Sequence, residues 1–239
     1  MRIRTAALTD IGKVREENED RFLLDDNLRL YAVADGIGGL AGGAEAAEEA
    51  VKQLSALSRA LPADDDWDFP ALIEEINGHV VGRGRTIDAM FGIGTTLIVV
   101  RLFNGHLQVA HVGDSSCFLQ RNGRLLKLTL DHTVENEMRA LHGRSAADHL
   151  SPRTRNALTR CVGQPKSPEA DILTRPLKTG DHILLCSDGI TRFIQEPEIA
   201  DVLGRAAGPA EAMEEIIKLA NERGGYDNAT GVLVFVDEI

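Results

Sequence analysis

Hydrophobic positions along this chain fall into two periods, and the changes between them mark its elements. Ile3 to Leu8 alternates as a first strand and leads into a polar loop carrying Arg15, Asn18, Glu19 and Asp20. Phe22 to Leu24 and Leu28 to Ala34 flank Asp25-Asp26-Asn27, the pattern of two strands joined by a turn. After the glycine-rich stretch Asp35-Gly36-Ile37-Gly38-Gly39 the period lengthens. Ala47, Ala50, Val51, Leu54, Leu57 and Leu61 recur at spacings of three and four, one apolar face of a helix. Pro62 to Pro70 is acidic and turn-rich, a surface loop in which Trp67 reads as an anchor onto the core. Leu72, Ile73, Ile76 and Val80 predict a second helix, weakened by Gly82 and Gly84.

From Gly94 the strand period returns. Thr95 to Phe103, Asn104-Gly105 and Leu107 to Val112 read as a hairpin; Cys117 to Gln120, Asn122-Gly123 and Leu125 to Leu128 repeat it. Val134 to Arg160 is polar with little periodicity and reads as a short helix and a mobile flap, with the flap proper over 134–158. Ile172 to Leu177 and His182 to Cys186 restore strands. Helical faces at Ile199-Val202-Leu203-Ala206 and Met213-Ile216-Ile217-Ala220 follow, and Thr230 to Val236 is a last strand. Connections of two residues make antiparallel pairs, being too short for a helical crossover. With helices arriving in pairs, the pattern predicts an α+β fold of packed antiparallel sheets with two helices on each outer side. No repeat or low-complexity linker divides it, so 1–239 reads as a single domain.

Composition narrows the function classes. The 239 residues carry a formal net charge of −11, which disfavours nucleic acid and anionic membrane as partners. Cys117, Cys161 and Cys186 are too few and too scattered for a disulfide framework, and the N-terminus lacks the apolar run of a signal peptide. These features lead to an expectation of a cytoplasmic protein.

Four aspartates share a context. Asp35 follows Tyr-Ala-Val-Ala, Asp114 follows His-Val-Gly, Asp188 follows Leu-Leu-Cys-Ser, and Asp227 precedes Asn228 and the last strand. Asp35, Asp114 and Asp188 each adjoin a glycine. Strand ends of this kind can converge on one cleft, where crowded carboxylates raise one another's pKa unless cations neutralise them. Oxygen ligands without a His/Cys cluster suit Mg²⁺ or Mn²⁺. By itself the loop at Asp35 equally allows a phosphate cradle: Gly36-x-Gly38-x-x-Ala41 after a strand matches a dinucleotide-binding fingerprint and so an oxidoreductase. Negative charge at Asp35 and the later hairpins oppose that alternative.

Seven motifs occur in order: Arg15-Glu-Glu-Asn18-Glu19-Asp20, Asp35-Gly-Ile-Gly-Gly, Gly94-Thr-Thr, Val112-Gly-Asp114-Ser, Leu128-Thr-Leu-Asp131-His132, Ser187-Asp188-Gly189 and Gly225-Tyr-Asp227-Asn228. Together they resemble the metal-dependent protein serine/threonine phosphatases of the PP2C (PPM) type, in their compact bacterial form. The resemblance implies a four-layer α-β-β-α sandwich with a cleft at one end holding two Mg²⁺ or Mn²⁺ ions and a third, weaker one. Asp35 would bridge two ions, with the Gly36 carbonyl as a further ligand, and Asp188 and Asp227 would hold the first ion. Asp114 would serve the third ion. Glu19 and Asp20 would contact the metals or their waters, and Arg15 would bind phosphate.

The implied function is hydrolysis of phosphoserine and phosphothreonine in proteins, reversing a bacterial-type Ser/Thr kinase that is itself a candidate partner, by a monomer. A sensor module with dead chemistry is the alternative within the same fold. Three departures stand out. Ile37 replaces the histidine proposed as general acid in animal-type members, leaving water or a flap histidine (His142, His149) for that task. Ser116 replaces an arginine that often follows Gly-Asp-Ser. The flap is rich in arginine, and Arg139, Arg144, Arg153 and Arg155 are candidates to meet a phosphorylated substrate. His111 reads as a satisfied core histidine and His132 as a residue that orders a loop.

Overall fold

The strands assemble as two five-stranded antiparallel sheets laid face to face. The computed structural model describes residues 1–37, 42–63 and 65–239. One sheet runs β2 (Asp20–Asp25), β3 (Leu30–Asp35), β4 (Leu97–Phe103), β5 (His106–Val112), β8 (Asp171–Pro176). The other runs β1 (Arg2–Asp10), β10 (Ala229–Glu238), β9 (His182–Cys186), β6 (Ser116–Arg121), β7 (Arg124–Lys127). Helices α1 (Gly43–Ser58) and α2 (Phe69–Ile87) cover the first sheet; α5 (Asp188–Thr191), α6 (Glu196–Arg205) and α7 (Pro209–Glu222) cover the second. The α+β expectation of four layers holds.

The central strands of each sheet are buried on both faces, which explains why they read as unbroken apolar runs. In β3, Leu30, Ala32 and Ala34 face α1 and α2 while Tyr31 and Val33 face the other sheet. In β10, Leu233 and Phe235 face α6 and α7 while Val232, Val234 and Val236 point inward. The two-residue side-chain period thus feeds two cores from one strand, each fully buried aliphatic side chain contributing about 1.5–3 kcal/mol. Asn104-Gly105 and Asn122-Gly123 take positive φ, the twist that two-residue hairpins require.

Three details depart from the sequence expectations. Helix α2 runs through Gly82 and Gly84 to Ile87, because Leu72, Ile73, Ile76 and Val80 are all buried and packing outweighs the glycines' poor propensity. Helix α1 stops at Ser58, so Leu61 packs on the core from the following loop. The segment after β7 carries two short helices, α3 (Val134–His142) and α4 (Pro152–Arg155), rather than one. Trp67 is buried as expected, its Nε1–H donating to the Pro62 carbonyl. Every strand pair among the described residues is antiparallel, which removes the doubly wound, dinucleotide-binding alternative. Gly38, Gly39 and Ala41 of that fingerprint lie outside the described residues.

Candidate metal centre

The two sheets deliver acidic residues to one end of the sandwich. From the first sheet come Asp20 at the start of β2, Asp35 at the end of β3, and Asp114 just past β5. From the second come Asp188, just past β9, and Asp227, just before β10. Asp20 lies directly opposite Asp35 in the β2–β3 register. Like charges in that position repel, so the pairing is destabilising unless a cation or a proton relieves it.

Neutral side chains hold the frame. The Asp35 N–H donates to Thr96 Oγ1 at 3.0 Å, and its carbonyl accepts from Thr96 N and Thr95 Oγ1. Thr96 Oγ1 in turn shares a proton with Ser115 Oγ at 2.7 Å, linking β3 to the Asp114 loop. His132 secures the same loop from the other side: its N–H donates to the Gly113 carbonyl and its Nδ1 accepts the Gly113 N–H. The Asp114 loop therefore has support although Ser116 replaces the arginine. Asn228 fastens the Arg15 loop, accepting the Glu19 N–H and donating to the carbonyls of Ile11 and Glu17. Ser187 Oγ donates to Asp20 Oδ2 at 2.7 Å, a bond from one sheet to the other.

Burial and mutual repulsion push the acids up. Asp35 and Asp188 are held well above the usual carboxylate range, first by desolvation and then by their acidic neighbours. Desolvation pushes Asp114 up to about 6, against the opposing pull of Arg192. Asp20 and Glu19 are also raised, mainly by burial. Asp20 is 2% exposed and its Oδ1 has no hydrogen-bond partner, an orphan acceptor that a cation or its water would satisfy. At Gly36 a Cβ would stand 2.3 Å from the Gly43 carbonyl oxygen and 2.9 Å from that of Glu19, so only glycine lets the backbone pass so close. An all-oxygen donor set with a buried orphan fits a hard divalent cation.

Asp35, Asp114, Asp188 and Asp227 line a cleft of about 430 Å³ with Arg15, Gly36, Ile37, Arg153 and Arg192. Arg15 reaches Asp227 Oδ1 at 2.8 Å and Glu19 at 3.7 Å. Of the flap arginines, Arg153 lines the cleft, while Arg139 and Arg155 pair with Glu135. Neither His142 nor His149 lines it. Arg192, which sequence reasoning missed, contacts Asp188 and approaches Asp114 and Asp227. Its signal was the spacing Asp188–Arg192, an acid four residues ahead of a base. Burial works against the Arg192 charge, but Asp188, Asp114 and Asp227 overcome it and hold its pKa up.

Two other chemistries are poorly served. Burial pushes the Cys161 thiol up to about 11 and the Cys186 thiol up to about 12, so neither supplies a thiolate nucleophile at neutral pH. His111, His132 and Asp171 cluster within metal-binding reach of one another. However, His132 Nδ1 already accepts from Gly113, and its Nε2 lies 3.3 Å from both Asp171 Oδ2 and the guanidinium of Arg160, a fixed cation where an ion would have to sit. His111 is buried as expected but not satisfied: neither ring nitrogen makes a hydrogen bond of good geometry.

The chain is thus an α-β-β-α sandwich with a carboxylate cleft at one sheet end, a donor set of the kind that holds hard cations. Comparison with known proteins narrows it. A family model described as protein phosphatase 2C matches residues 13–223. The "Serine/threonine phosphatase stp" of Listeria welshimeri is 34% identical over 235 residues, 95% of this chain and 93% of the relative. The solved serine/threonine phosphatase of S. agalactiae superposes with a TM-score of 0.88 at 31% identity, covering 98% of this chain and all of that one. A catalytic domain of the serine/threonine protein phosphatase PstP, solved in complex with two manganese ions, superposes at 0.85 with 30% identity and 99% coverage of each chain. The chain belongs to the protein phosphatase 2C family.

Proposed function

We propose that this protein hydrolyses phosphoserine and phosphothreonine in proteins, using two Mg²⁺ or Mn²⁺ ions. The convergence of Asp35, Asp114, Asp188 and Asp227 from two sheets on one cleft, with buried Asp20 opposite Asp35, carries the reading. Such a cluster is strained as bare anions, and the family's phosphatase names and the manganese-bound relative supply the activity and the ion. In this proposal Asp35, the Gly36 carbonyl, Asp188 and Asp227 hold the ions, with Asp20 and Glu19 receiving metal-bound waters. When bound, a pair of divalent ions lowers the pKa of a water and offsets the charge of a phosphoryl group.

The chain's own residues do the rest. Arg15, 37% exposed in its side chain, turns from Asp227 to grip the phosphoryl oxygens and fix them for in-line attack. Arg153 stands on the flap side of the cleft, where a phosphoprotein would enter. Ile37 keeps one wall dry, and the leaving alkoxide takes its proton from water. No histidine lines the cleft among the described residues. We further infer one domain over 1–239 with a flap at 134–158, a monomer, and substrates set by a bacterial-type Ser/Thr kinase, the kinase included.

Phosphate release from a phosphothreonine peptide, titrated with Mn²⁺, tests the reading. Wild-type activity should depend on Mn²⁺ and vanish with chelator, whereas a binding module with dead chemistry would release none. Asp35→Asn should retain the fold by circular dichroism and lose at least ~10³-fold in kcat/KM, the scale of a lost electrostatic stabiliser. Wild-type-like turnover in that variant would sink the two-metal assignment.

A further inference from the structure

Arg192 stands among three of the clustered carboxylates. Its Nη2 contacts Asp188 Oδ2 and lies 4.0 Å from Asp114 Oδ2, while its Nη1 lies 3.6 Å from Asp227 Oδ2. One guanidinium thus faces one oxygen on each of three acids. Helical spacing fixes it there: Arg192 N–H donates to the Asp188 carbonyl at 2.9 Å, so the side chain projects from one turn past the acid it meets. Asp114, Asp188, Asn156 and Arg192 also line both the 430 Å³ cleft and an adjoining cavity of about 320 Å³. Arg192 therefore stands where the two cavities meet, against Asp188 and within reach of Asp114 and Asp227.

Charge balance gives this placement a meaning. Glu19, Asp20, Asp35, Asp114, Asp188 and Asp227 could carry six negative charges. Two divalent ions with the guanidinium groups of Arg15 and Arg192 match that number. A third divalent ion at Asp114 and Asp188 would have to share both carboxylates with a fixed positive charge a few ångströms away, and like charges at that range repel strongly in a half-buried site.

Resting on the metal-centre reading above, we propose that Arg192 is the built-in cation of the Asp114–Asp188 side of the site. Its guanidinium takes the place of a further divalent ion, limits the chain to two, and holds the acids together before metal arrives. It acts as a positioning residue through Asp114 and Asp188, not on substrate.

Calorimetric titration with Mn²⁺ counts the ions directly. Wild type should bind two per chain, Arg192→Gln three, and Arg192→Lys, which keeps the charge, two. The double variant Arg192→Gln/Asp114→Asn should lose the extra ion again. In chelator, Arg192→Gln should melt about 2–4 °C below wild type for want of the counter-charge, and saturating Mn²⁺ should close that gap. An unchanged count of two in Arg192→Gln, or three in wild type, would overturn the role given to Arg192 while leaving the metal centre intact. No Mn²⁺ bound to wild type would instead bring down the metal-centre reading itself.

Discussion

Arg15 is held on Asp227 in the resting site, not free for the phosphate proposed for it. Its guanidinium is engaged with Asp227 at 2.8 Å, and Asp227 also faces Arg192 through its other oxygen. Phosphate must therefore compete with an existing ion pair that is partly solvated and so modest in strength. Arg15→Ala should raise KM for a small aryl phosphate about 10–100-fold, the loss of charge-assisted hydrogen bonds worth about 1.5–3 kcal/mol. Mn²⁺ affinity should be retained, because the variant removes a competitor of the metal and no ligand. Unchanged KM would take Arg15 out of the site. The acids around it were legible because each closes or opens a strand whose apolar run is visible in the sequence. Arg192 was legible only as the partner of Asp188 four residues before it; its approach to Asp114 and Asp227 is set by folding. Asn228 and Ser187 were quoted within motifs, yet their tasks, joining the Arg15 loop and Asp20 to the second sheet, depend on contacts more than 160 residues apart.

At the scale of elements, period alone located nearly every strand and the long helices, because the central strands of each sheet are buried on both faces and each helix has one apolar face. It missed α5, four residues long, since a single turn has no period to display. That turn nevertheless sets the geometry of the site. Gly189, its second residue, packs so tightly that a Cβ would lie 1.9 Å from the Asn228 carbonyl oxygen and 3.4 Å from Asp227 Cβ. Asp188 and Asp227 are thereby locked across a junction between α5 and the start of β10. Gly189→Ala cannot be absorbed by a side-chain shift, because the obstacle is backbone. The variant should lose about 1–3 kcal/mol of stability, the range for overpacking, and bind Mn²⁺ at least tenfold more weakly as the two acids part. Calorimetry and urea unfolding on the same preparation would check both. A variant with lowered stability and intact Mn²⁺ affinity would show that the junction supports the fold alone.

Across the whole molecule, the proposed metal centre would act as a clasp between two sheets. Their apolar faces meet along Val33, Ile98, Val100, Leu185, Val232 and Val234, but at the acidic end repulsion replaces attraction. The net charge of −11 gave a hint of acid surplus and no indication of where it gathers. With Asp20, Asp35 and Asp114 on one sheet and Asp188 and Asp227 on the other, any ion shared between the two sets ties the layers together. Metal should therefore stabilise the entire sandwich, not a loop. For one ion at a hundredfold excess over its Kd, linkage gives about 2.7 kcal/mol, or a rise in Tm of about 5–10 °C for a chain of this size. Mn²⁺ should move a single cooperative melt upward by that amount, chelator should reverse it, and Asp35→Asn should abolish most of it. If Mn²⁺ instead protected only amides near Asp35 from hydrogen exchange while Tm stayed put, the ion would be bound by one sheet alone. Protection spreading to amides around Ser187 on the second sheet is the signature of the clasp, because Ser187 Oγ is bonded across the layers to Asp20.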